Sequence, residues 1–134
     1  AARTGKTLVE VGNYGINRFI FGHEVVDDAG IEEWLGLFMD ADAVVCNSFH
    51  GICFSLIFNK PFYVFSRGGE DFRFENICEA TGLSDRLLPT DGTIPLEDVP
   101  IDFEDVARRL DPLREKSLRF IDENVVIPAK GHVP

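Results

Sequence analysis

Residues 43–62 read AVVCNSFHGICFSLIFNKPF. The run from Ala43 to Cys46 is continuously apolar, as in a parallel strand covered on both faces. Asn47, Ser48, Phe49, His50 and Gly51 then form a tight polar corner, and residues 51–58 are apolar on nearly every side, as in a buried helix. Asn59 can supply the left-handed turn that ends this helix, and Pro61 blocks its continuation. Residues 62–65 read as a second parallel strand, which completes a βαβ unit with a short crossover. A strand that feeds directly into a helix leaves unpaired backbone N–H groups at the helix start, where an anion can sit and an imidazole can be aimed at it. The corner is therefore where chemistry is expected.

Outward from this unit the elements alternate. Residues 7–11 are a candidate strand, and residues 12–22, punctuated by Gly and Asn, are either a loop or a second strand. Between Gly30 and Met39 the apolar residues Ile31, Trp34, Leu35 and Phe38 recur at helical spacing, with Glu32 and Glu33 in the first turn where the helix dipole favours them. On the other side, residues 66–71 form a Gly-rich loop. Phe72, Ile77 and Ala80 suggest a helix capped by Asp71 and stopped by Gly82, and residues 83–93 are a connector with little pattern. Asp102 reads as a cap before Phe103, Val106 and Leu110. Asp111 and Pro112 are expected to restart a helix that presents Leu113, Leu118 and Ile121 and packs across the sheet. The expectation is an α/β, three-layer, Rossmann-like domain spanning residues 1–134, with a mostly parallel sheet flanked by helices and ligands beyond the carboxyl ends of the strands.

Composition narrows the function. The chain has 134 residues and 45% apolar content, enough for a real core. Its 23 acidic and 13 basic residues give a net charge of −10. With no basic cluster in sight, nucleic acid is not an expected partner. An acidic surface still allows an anionic small molecule, because a pocket needs only local positive potential. Cys46, Cys53 and Cys78 each lie in an apolar run without CxxC or metal-ligand spacing, which reads as reduced buried thiols in a cytoplasmic protein. No metal site is expected. There is no basic-then-apolar leader, and the apolar run 52–58 is far short of the roughly 20 residues that span a bilayer. Beginning Ala-Ala-Arg-Thr-Gly-Lys, the sequence is expected to be part of a longer protein.

His50 is the central candidate. A corner histidine can simply bond a nearby carbonyl, but its place at the ligand edge between Ser48 and Gly51 favours function. Asn47 and Ser48 are candidate ligand donors or helix caps, and Gly51 would allow close approach of backbone or ligand. Ser48 lacks the Gly-x-Ser-x-Gly elbow of an acyl-enzyme hydrolase. Arg67 and Arg73 flank the loop after the second strand and could reach the same edge, Arg73 being the stronger candidate. Lys60 reads as a helix-end charge, Asp85 with Arg86 as a local ion pair, and Phe49 and Trp34 as core.

The Ser-Phe-His-Gly corner followed by Phe-Asn-Lys-Pro-Phe, with Ile31-Glu32-Glu33-Trp34-Leu35 upstream and Arg73-Phe74 and residues 81–87 downstream, resembles the C-terminal half of polysaccharide pyruvyl transferases. The resemblance runs from Gly30 to Leu88 and more loosely to Asn124; residues 1–28 match nothing nameable. It implies the C-terminal half of a two-domain enzyme of glycosyltransferase-B-like architecture, in the cytoplasm or peripheral at the inner face of the membrane. The reaction it implies is transfer of a pyruvyl group from phosphoenolpyruvate to two hydroxyls of a glycan or lipid-linked sugar, with no further cofactor. On that footing His50 is catalytic, and Asn47, Ser48, Gly51, Arg67 and Arg73 bind substrate. Some members carry a basic residue just before the Phe-His pair, where this chain has Ser48, which leaves open which cation meets the phosphate. A nucleotide-sugar glycosyltransferase and a noncatalytic domain packing against a partner half stand as the alternatives. The acceptor sugar is not legible.

Overall fold

The computed structural model describes residues 5–12, 24–66, 72–89 and 99–125. Two compact units divide the chain, residues 1–42 and residues 43–134.

In the first unit β1 (Val9–Val11) pairs in parallel with β2 (Glu24–Val26), with Val9 opposite Glu24 and Val11 opposite Val26. The second strand lies beyond the Gly- and Asn-punctuated stretch, which by sequence is either a loop or a second strand; residues 13–22 of that stretch are outside the described residues. Helix α1 (Ile31–Asp40) occupies the segment its periodicity indicated. The Glu33 carboxylate accepts the Gly30 N–H at 2.8 Å, satisfying a donor ahead of the first turn. Trp34 and Phe38 pack one turn apart, their rings tilted by 49° with centroids 4.4 Å from each other.

The second unit is a run of parallel βαβ units: β3 (Val44–Cys46), α2 (Phe49–Ile57), β4 (Phe62–Phe65), α3 (Phe72–Thr81), a 3-10 turn (Ser84–Arg86), β5 (Leu87–Leu88) and α4 (Phe103–Asn124). The strands lie in the order β3-β4-β5, all parallel, with Val44 opposite Phe62 and Val64 opposite Leu87. Two right-handed crossovers that step the same way across a sheet put their helices on one face. Accordingly Phe62 and Val64 of β4 meet Ile52 of α2 and Phe74 and Cys78 of α3 in a single buried cluster, joined by Leu83 and Val106. Parallel strands alternating with helices make this an α/β, Rossmann-like arrangement, as the sequence indicated. Val44 and Cys46 of β3 pack against that cluster, whereas Val45 is exposed, so the strand is covered on one face rather than both.

The helix ends follow the sequence. Asn59 adopts φ 52° after α2, and Gly82 takes φ 73° after α3. Asp102 accepts the N–H groups of Glu104 and Asp105 at the start of α4. Two expectations change. The connector after Gly82 contains a third parallel strand, only two residues long. And α4 does not restart at Pro112 but runs through it as one helix of 22 residues. Proline there lacks the N–H that would bond the Arg108 carbonyl; on an exposed stretch water can donate to that carbonyl instead. Leu113, Leu118 and Ile121 are exposed, and α4 packs instead through Val106 and Leu110.

Arg86 is buried to 2% exposure, a placement that the sequence did not signal. Its Nε lies 3.2 Å from Asp85 Oδ2, so the expected ion pair is present, and its Nη2 donates to the Val99 carbonyl. The guanidinium carbon sits 5.1 Å from the centroid of the Tyr63 ring. Nε and Nη1 make no aligned hydrogen bond among the described residues, so the carboxylate and the ring face offset the desolvation of this charge by proximity alone.

Candidate functional site

The carboxyl end of β3 and the start of α2 form the corner. Ser48 is extended (φ −135°, ψ 147°), and its Oγ accepts the Gly51 N–H at 3.0 Å. Of the two roles open to Ser48, the structure realises the cap. Helix α2 therefore begins at Phe49, two residues earlier than the apolar run alone suggested. The first N–H groups of α2 have no carbonyl one turn behind them. Since Ser48 takes that of Gly51, the donors left to face an anion are those of Phe49 and His50.

Gly51 is buried, and its reason is packing. A Cβ there would lie 2.7 Å from Cys46 Cβ and 2.8 Å from Cys46 Sγ, closer than nonbonded atoms approach. The first turn of α2 thus rests directly on the last residue of β3. Ser55 carries the contact onward, its hydroxyl donating to the Gly51 carbonyl at 2.8 Å. Burial pushes the Cys46 thiol up to about 11, against a smaller opposing effect of a backbone hydrogen bond from Ser48. Under the corner lies a neutral thiol rather than a thiolate that would repel an anion.

His50 is exposed on the first turn of α2, and Asn47 is partly buried just before it. Arg73, the second residue of α3, comes to the same corner from the next βα connection: its guanidinium carbon is 6.0 Å from the centroid of the Phe49 ring. In a parallel sheet both helices start at the carboxyl edge, so Phe49 and Arg73, 24 positions apart in sequence, meet there. Arg67 and the expected cap Asp71 lie outside the described residues. Phe49, assigned to the core from sequence, does pack against the buried cluster, but it also carries Arg73. No periodicity distinguishes such a ring from an ordinary core phenylalanine.

Compared with known families, residues 4–69 match the one described as polysaccharide pyruvyl transferase. Over that span the chain belongs to the polysaccharide pyruvyl transferase family. The pyruvyl transferase match begins well before Gly30, so the first 28 residues, which carried no nameable resemblance, are family sequence from residue 4 onward. It takes in Asn47, Ser48, His50, Gly51 and Arg67 and ends before Arg73. No curated protein and no solved structure matches the chain. Among the described residues, no helix is long and apolar enough to cross a membrane, and no group of three or more His, Cys, Asp or Glu side chains is placed to hold a metal ion.

Proposed function

We propose that this chain supplies the donor-binding part of a pyruvyl transfer from phosphoenolpyruvate to two hydroxyls of a polysaccharide sugar, as one Rossmann-like half of a longer two-domain enzyme. The observation that carries the reading is that, in the family-matched stretch, His50 sits on the first turn of α2 beside helix-terminal N–H groups, and the Arg73 guanidinium lies 6.0 Å from the ring of the adjoining Phe49.

Each part answers a need of the reaction. A proton adds to the methylene carbon of the donor, which leaves cationic character on the adjacent carbon. The first sugar hydroxyl bonds to that carbon and gives up its proton. The C–O bond to phosphate breaks, phosphate leaves with the bonding pair, and the second hydroxyl bonds to the same carbon and gives up its proton to close the cyclic ketal. In this reading His50 delivers the proton or holds the leaving phosphate as imidazolium. The N–H groups of Phe49 and His50 cradle phosphate oxygens, with the α2 dipole behind them. Arg73 would match the planar carboxylate with two parallel donors, and Arg67, a candidate from sequence, would pair with the same anionic groups of the donor. Asn47 and Ser48 border the donor, Ser48 chiefly by holding the turn.

Isothermal titration with phosphoenolpyruvate, a nucleoside diphosphate and inorganic phosphate tests this reading. Selective binding of phosphoenolpyruvate, weakened in both His50→Ala and Arg73→Ala, is the expected result. Preference for the nucleoside diphosphate would replace the reading with glycosyl transfer. If His50→Ala altered only stability or assembly, the corner would be a packing surface.

A further inference from the structure

Phe49 occupies an unusual position between the core and the donor corner. It is the first residue of α2, packs against the buried cluster and immediately precedes His50. The Arg73 guanidinium, although exposed, lies within cation–π range of its ring at 6.0 Å. We propose that Phe49 is a positioning residue for the donor site, its anchored ring holding the Arg73 guanidinium at the corner where His50 and the α2 N–H groups meet the anion. This inference rests on the pyruvyl transfer reading given above.

The argument is one of preorganisation. An exposed arginine samples many rotamers and must lose that freedom when it clamps a ligand. A guanidinium lying against an aromatic face is confined before the ligand arrives, and contact through its face leaves the in-plane N–H geometry that matches a carboxylate or phosphate unchanged. The ring is itself confined because Phe49 packs against the buried cluster. A leucine of similar bulk would fill the same space but offers no negative ring face.

Two measurements on the full chain separate the possible failures. The first is the NMR shift of the Arg73 Nε–Hε group, assigned by its loss in Arg73→Ala. An upfield ring-current shift is expected in wild type and in Phe49→Tyr, and its loss in Phe49→Leu; this readout needs no ligand. The second is calorimetric titration with phosphoenolpyruvate. Phe49→Leu should weaken binding about two- to fivefold, the size of an exposed cation–π contact, while Phe49→Tyr binds as wild type does. In an Arg73→Ala background, Phe49→Leu should add nothing. Absence of the ring-current shift in wild type overturns the proposal, as does a Phe49→Leu penalty that persists without Arg73, since the ring would then act through general packing. If the shift is present but phosphoenolpyruvate fails to bind wild type, the pyruvyl donor reading has failed and the role assigned to Phe49 falls with it, although the contact stands.

Discussion

Substituting Gly51 by alanine probes the seat of α2 on β3. The added Cβ would lie 2.7 Å from Cys46 Cβ, 2.8 Å from Cys46 Sγ and 3.2 Å from Ser48 Oγ. Carbon atoms pack best at roughly 3.5–4.0 Å, so the first contact demands a displacement of about 1 Å. Rotating the thiol relieves the second contact but not the first, because Cys46 Cβ is fixed to the strand backbone. Moving the helix away instead stretches the Ser48 to Gly51 cap, which is 3.0 Å long. Overpacking of this kind costs about 1–3 kcal/mol, and alanine regains at most about 1 kcal/mol over glycine through helix propensity. Gly51→Ala should therefore lose about 1–2 kcal/mol, read as a lower urea midpoint with an unchanged m value. Cys46→Ala, which removes only the sulfur, should restore part of the loss. A Gly51→Ala protein as stable as wild type, or more so, would refute the reasoning, because propensity would then be acting with no clash to oppose it.

Removing the cap itself in Ser48→Ala should cost about 1 kcal/mol, and thermal melting checks it; a gain in stability would mean that the Gly51 N–H has a better partner. Cys46 and Cys78 are both raised to about 11, chiefly by burial. In the unfolded chain they ionise at lower pH, so the unfolded state sheds protons first and stability should fall as pH rises through the window up to about 11. Melting from pH 8 to 11 should show that decline, and it should be shallower in Cys78→Ser. The Asp105 carboxyl is held below its usual range, first by the hydrogen bond from Arg109. A depressed acid contributes stability that is present at neutral pH and lost as pH falls through its folded pKa, so Arg109→Ala should flatten the acid limb of the stability profile. Replacing Pro112 by alanine returns a donor to the middle of α4 and should raise helicity by circular dichroism, with a gain of up to about 3 kcal/mol if the whole helix folds cooperatively.

The outcome at particular residues shows where sequence reasoning holds. The βαβ unit was legible because its signals are local: an apolar run, a capping serine, an asparagine that tolerates positive φ and a proline that forbids helix. Strand β5 was not. Leu87 and Leu88 form a two-residue strand whose existence depends on β4 offering a free edge, and nothing within residues 83–93 encodes that edge. Pro112 misled for a related reason. Proline is welcome at a helix start, yet the helix that Asp102 opened continued through it, since the carbonyl it orphans lies where water can reach it.

The sequence by itself determined the alternation of strands and helices, the corner at residues 47–51 with its histidine, and the family resemblance, because each rests on short-range chemistry between residues a few positions apart. Only the tertiary structure decided that Gly51 serves packing, that Arg86 is buried beside Tyr63 and that Arg73 lies over Phe49. Those facts arise when parallel strands bring the starts of successive helices to one edge, and the contacts made there join residues that no local pattern connects.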